Sequence, residues 1–223
     1  MPDLSALVAA FIGQLPPALV AHLPELALAG ALAWGAGMRL YLVVFLFGLL
    51  GRIGWWPLPE HLSLLAHPVV IGAAGFMTVV ELFADKLPLL DSAWDALNTF
   101  VRIPAGAALA AAVFGDSGAA VALAAALLGG TLTATTHFAK SGTRAAVNTS
   151  PEPFSNVAVS AGEDVLVIGG LWLAVEYPLL FLAALLVFLV VAVLLIRLVL
   201  RGLRRLFGAP SASAADDASG RLP

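Results

Sequence analysis

Cysteine is absent from this chain of 223 residues. Its absence excludes a disulfide framework, a thiolate metal site, an iron–sulfur cluster and a cysteine nucleophile. Charge is scarce too: Asp, Glu, Lys and Arg make up 11% of the residues, about half the share found in soluble domains. No basic residue precedes Arg39, and no basic stretch offers a surface for nucleic acid. What fills the chain is apolar, with 61% hydrophobic residues and a mean hydropathy of +1.00. That composition excludes a soluble globule and makes the lipid bilayer the first expected partner.

The pattern predicts an all-α, polytopic membrane protein with six transmembrane helices and polar stripes facing the cytoplasm. Apolar runs near the ~20 residues needed to cross hydrocarbon cover 26–50, 68–84, 96–114, 119–138, 156–176 and 179–200. Turn signals separate them: Gly51 to Pro57, Pro88, Gly115-Asp116-Ser117-Gly118, Pro151 with Pro153, and Tyr177-Pro178. Residues 1–25 open on Met1-Pro2-Asp3 without the positive charge of a secretory signal, and read as an amphipathic or peripheral segment. Residues 26–205 form the membrane domain, and 206–223, rich in Ala, Ser and Asp, a disordered tail. Arg197, Arg201, Arg204 and Arg205 place the C-terminal end in the cytoplasm by the positive-inside rule. Six crossings then put the N-terminus there as well, and Trp55, Trp56, Trp172 and Tyr177 form an outer aromatic belt.

Polar residues recur where polarity is expensive, and ionisable groups inside a bilayer mark functional sites by default. Asp91, Asp95, Asn98 and Arg102 are spaced i, i+4, i+7, i+11 and share one helix face. That stripe carries Arg102 roughly 16 Å beyond Asp91. His137, Lys140 and Arg144 repeat the spacing at i, i+3, i+7, and Glu81 and Asp85 share the end of the second span next to Lys86. Asn156, Ser160, Glu163 and Asp164 continue the scheme in the fifth. Two adjacent carboxylates at that depth need cationic partners. Arg39 lies mid-way along the first span behind Gly35-Ala36-Gly37, where two glycines allow a helix break or a close neighbour. Altogether six acids face five bases and a histidine. Ser150 and Ser155 are candidate caps of the fifth helix. An offset of 55 residues aligns Gly75, Thr78, Phe83 and Ala84 with Gly130, Thr133, Phe138 and Ala139, as an internal repeat of helices 2-3 and 4-5 would, and as chance also does in a chain this rich in Gly and Ala.

The run from Glu81 through Asp85-Lys86, Pro88, Asp91 and Trp94-Asp95 resembles a bacterial membrane family, domain of unknown function 4126. So does the run His137, Lys140, Arg144, Asn148, Ser150-Pro151, Pro153, Ser155-Asn156, Ser160 and Glu163-Asp164. The resemblance spans residues 28 to 205. The family's third-helix arginine is usually followed directly by proline, whereas here Ile103 separates Arg102 from Pro104. The resemblance implies a multi-pass protein of the bacterial inner membrane with its signature residues at these positions, and names no substrate, cofactor or reaction.

Three functions fit the residues. A small transporter or channel would use the mixed stripes as a solute or proton path, with His137, whose ordinary pKa is about 6.5, as a relay. An enzyme acting on lipid phosphates would hold phosphate with Lys86, Lys140 and Arg144, and a divalent metal with Asp91 and Asp95 or Glu81 and Asp85. The chain lacks the usual signatures of such enzymes, and Ser141-Gly142-Thr143 has no histidine where a lipid phosphatase core needs one. A non-catalytic scaffold would use the charges as architecture. A homo-oligomer, a small solute and a lipid headgroup all stay open as partners.

Overall fold

A computed structural model describes residues 13, 14, 16–147 and 153–207, with the side chains of 19, 88, 89, 91, 92, 153, 199 and 203–207 excepted. Six α-helices account for nearly all of the described residues. They are α1 (Pro17–Arg52), α2 (Pro68–Ala84), α3 (Pro88–Val113), α4 (Ala119–Val147), α5 (Pro153–Glu176) and α6 (Pro178–Phe207), with 3-10 turns at Glu60–Ala66 and Gly115–Ser117. The expected all-α membrane architecture is what the chain adopts. Large apolar side chains cover its outside, among them Phe100, Leu128, Leu186 and Leu198, as a lipid-facing surface requires.

The helices outrun the apolar spans in sequence. Helix α1 starts at Pro17 rather than at residue 26, because proline fits the first helical turn, where its missing N–H has no partner to lose. Residues 17–25 therefore belong to the first helix rather than to a separate peripheral segment. Helix α5 starts at Pro153, which makes Ser155 its third residue rather than its cap. Ser150, the segment before Gly13 and the tail beyond Phe207 lie outside the described residues.

Five helices are long and apolar enough to cross a membrane: α1, α3, α4, α5 and α6. Helix α2 has 17 residues, about 25 Å. It reaches a full span only together with the Glu60–Ala66 turn, from which it is bent by 65°. Five of the six expected crossings are thus full-length helices, and in place of the sixth stands a short bent pair, a broken span or a re-entrant loop.

Helix α1 is the axis of the bundle. Its apolar window is 72% buried, against 17–33% for the four other long helices, and Ala27, Ala31, Leu32, Ala33, Ala36, Val43 and Phe47 supply the centre of the core. Small residues let neighbours close on it. A Cβ on Gly37 would stand 2.6 Å from the Thr133 carbonyl and 2.7 Å from the Thr136 Cβ. Thr133 is wedged between Gly37 of α1 and Gly106 of α3, and its hydroxyl donates to the Ala33 carbonyl across the helices at 2.8 Å.

Helix α1 is not continuous. Arg39 takes φ −148° and ψ 71° within it. A Cβ on Gly35 would lie 2.7 Å from Cγ2 of Val43, although residues eight apart on a straight helix are separated by about 12 Å along the axis. The chain folds back on itself at Arg39, and Gly35 gives the room. Contacts pin the two ends of the bundle. His61 and Asp116 meet at 3.0 Å where the loops after α1 and α3 come together, and Arg144 meets Asp85 at 3.1 Å at the far ends of α4 and α2.

Candidate functional site

The break at Arg39 lies inside a buried ionic cluster drawn from five helices. Arg39 is 1% exposed. Its Nη1 pairs with Asp85 Oδ2, its Nε lies 2.9 Å from Asp164 Oδ1, and its Nη2 lies 3.4 Å from Glu163 Oε2. Nη2 also donates to the Ser160 hydroxyl at 2.6 Å and to the Ser160 carbonyl at 3.2 Å. The break therefore points one guanidinium at three carboxylates.

Each predicted stripe contributes to the same cluster. From α3, Arg102 donates to Asp95 at 2.7 Å, and its other terminal nitrogen pairs with Glu81 of α2; both Arg102 and Glu81 are fully buried. From α4, Arg144 forks onto Glu163 of α5 with two bonds of 2.9 Å and reaches Asp85 Oδ2 at 3.1 Å. Lys140 donates to the Met38 carbonyl at 3.0 Å, a backbone group beside the break, and stands 3.5 to 3.9 Å from Glu163, Glu81 and Asp95. Ser160 also donates to Asp85 Oδ2 at 3.4 Å. Buried ions of this kind need such pairing, because an unpartnered charge in low dielectric costs several kcal/mol.

His137 is held as a neutral ring. Arg102 donates to its Nδ1 at 3.2 Å. Its Nε2 lies 2.7 Å from the Thr99 hydroxyl, which already gives its own proton to the Asp95 carbonyl at 2.9 Å. Thr99 must accept from Nε2, so the single imidazole proton sits there.

Some expected members stand apart. Asn98 is buried but bonds to Tyr41, whose hydroxyl donates to Asn98 Oδ1 at 2.8 Å, outside the ion network. Lys86 is exposed, with its ammonium 5.0 Å over the Phe83 ring. Asn156 is buried on the face that carries Ser160 and Glu163. The side chain of Asp91 and the whole of Asn148 lie outside the described residues. Thr99, Ser141 and Tyr41 are polar partners that the charge pattern did not single out. Ser141 donates to Asp95 Oδ2 at 3.1 Å. Thr99 and Ser141 each follow a stripe residue by one turn, Asp95 and His137, which was the available signal.

Two clefts flank the cluster. One, of about 430 Å³, lies between α3 and α4, with Asp95, Thr99, His137, Ser141 and Arg144 on its wall and the exposed Phe100 and Phe138 at its rim. The other, of about 270 Å³, lies among α4, α5 and α6, where Lys140 and Glu163 meet apolar residues such as Leu166, Phe188 and Leu195. Both are gaps between neighbouring helices. Among the described residues no three His, Asp or Glu side chains converge as a set of metal ligands.

No curated protein and no solved structure matches the chain. A family model, domain of unknown function (DUF4126), matches residues 26–198, which contain every described member of the cluster. The chain belongs to that family, a helical membrane protein whose matched region encloses a buried ionic core.

Proposed function

We propose that the protein is a small transporter of the bacterial inner membrane, with both termini in the cytoplasm, moving a solute or ion with protons through its charged core. The observation that carries this reading is the break in α1 at Arg39. Interrupted helices free backbone groups inside a membrane and place them where substrates and coupling ions bind. Here the Met38 carbonyl beside the break takes a bond from Lys140. In this reading Arg102, Glu163 and Asp164 form the deep part of the path, and Glu81, Asp85, His137, Lys140 and Arg144 its mouth. The α3–α4 cleft gives side access to Asp95 and His137.

A scaffold reading draws support from the dense pairing itself, since salt bridges among five helices would also fix their packing. One assay separates the two. Purified protein is reconstituted into vesicles loaded with a pH-sensitive dye, and common ions and small metabolites are screened against protein-free vesicles. Transport predicts solute-dependent proton movement that Glu163→Gln and Asp164→Asn each abolish while the protein stays monodisperse. Absence of flux with every solute, together with unfolding of both variants, would leave the scaffold.

A further inference from the structure

Four arginines close α6 with no acid on the same helix to answer them. Helix α6 runs unbroken from Pro178 to Phe207, and Arg197, Arg201, Arg204 and Arg205 are its only charged residues. Arg197 and Arg201 are both exposed, and among the described residues neither makes an ion pair. They take no part in the buried cluster.

Their height in the membrane follows from the apolar run before them. Residues 179–196 carry no polar side chain and cover roughly 27 Å of helix, close to the ~30 Å of bilayer hydrocarbon. The run starts beside Tyr177 and Trp172, exposed rings in contact at 5.6 Å, the residue types that settle at a membrane interface. Counted from there, Arg197 reaches the opposite edge of the hydrocarbon, and Arg201 stands roughly 6 Å further out, among the headgroups.

Their direction follows from the helical period. Helix α6 turns Phe188, Val191, Ala192 and Leu195 toward α4 and α5, where they line the cleft of about 270 Å³. Its other side carries Val187, Val190, Leu194 and Leu198, all exposed. Arg197 and Arg201 fall on that same outer side, at i+10 and i+14 from Val187. An apolar stripe as long as an acyl chain thus ends on two guanidinium groups at phosphate height. Guanidinium binds phosphate through paired hydrogen bonds and gives up its hydration readily.

We propose that this stripe of α6 binds an anionic phospholipid, with the acyl chains along Val187, Val190 and Leu194 and the phosphate on Arg197 and Arg201. Arg204 and Arg205 follow within the next turn and strengthen the positive field. That field favours a headgroup with net negative charge over a zwitterionic one, whose ammonium it repels. The site lies outside the charged core and holds for a transporter and a scaffold alike.

Its test uses the full chain in vesicles and reads no flux. The chain has no cysteine, so a bimane label can be attached at one chosen position. Leu198→Cys puts it beside the arginines. Val157→Cys puts it on the exposed side of α5 at matching height, since both residues lie roughly 30 Å along their helices from Tyr177. Each protein is reconstituted into phosphatidylcholine vesicles containing spin-labelled phosphatidylglycerol or, at equal mole fraction, spin-labelled phosphatidylcholine. Phosphatidylglycerol should quench the label at Leu198→Cys at least about twofold more strongly than phosphatidylcholine, an excess that about 0.5 M salt reduces. At Val157→Cys the two lipids should quench nearly alike. Equal quenching at Leu198→Cys overturns the proposal, and so does an equal excess at Val157→Cys, which would mean general enrichment around the protein. Adding Arg197→Gln and Arg201→Gln to Leu198→Cys should level the two lipids, and an unchanged excess overturns the assigned residues. Should that variant not assemble, the two single-cysteine proteins still decide.

Discussion

Arg144 of α4 holds Glu163 of α5 with a two-point fork, Nε to Oε1 and Nη2 to Oε2, both at 2.9 Å. Lysine carries the same charge but cannot make the fork. Arg144→Lys should therefore lower the thermal midpoint in detergent. Arg144→Ala, which removes the fork from Glu163 and one cation from Asp85 but leaves Arg39 and Lys140 beside them, should cost about 1–3 kcal/mol. Equal midpoints for wild type and Arg144→Ala would mean that the pair is solvated and contributes nothing to packing.

Close approach at Gly37 sets a second expectation. A methyl group there would press on the Thr133 carbonyl and the Thr136 Cβ, both on a neighbouring helix, so Gly37→Ala should destabilise the protein by about 1–3 kcal/mol. Gly72 and Gly142 have nothing within 4 Å of a built Cβ. Alanine at either should be neutral or slightly stabilising, because it is the better helix former. Size-exclusion profiles after graded heating would rank the three.

The crossing of α2 can be tested directly, since the chain has no cysteine of its own. Trp55 and Lys86 are both exposed and flank α2 together with its 3-10 turn. With a complete crossing, single cysteines at these positions label from opposite faces of the membrane, Lys86→Cys from the cytoplasm under the proposed topology. Labelling of both from one face would make α2 and its bent 3-10 turn a re-entrant segment.

Tyr41 and Asn98 supply a control. Their 2.8 Å bond is separate from the ion pairs, so Tyr41→Phe should cost about 1 kcal/mol and leave any proton flux of reconstituted vesicles near the wild-type level. A loss of flux as complete as in Glu163→Gln would place Asn98 in the path.

The membrane class, the helical architecture and the polar faces were legible in the sequence because each depends on local periodicity. Apolar runs report helices that meet lipid, and i, i+4, i+7 spacing reports which side chains share a face. Even the break at Arg39 was foreshadowed by Gly35-Ala36-Gly37, since glycine removes the side chain that would oppose a fold-back. The helix ends were less legible: proline opens α1, α3 and α5 where hydropathy alone places the boundary later, because its lost N–H costs nothing in a first turn. Tertiary structure alone decided the pairing. Spacing put Asn98 and Arg102 on one stripe, yet one bonds Tyr41 and the other Glu81 and Asp95. Lys86 beside Asp85 turns outward, while Lys140, more than fifty residues away, turns in. A buried charge takes whichever opposite charge or carbonyl the packed helices bring within reach, and that depends on crossing geometry, which no single helix encodes.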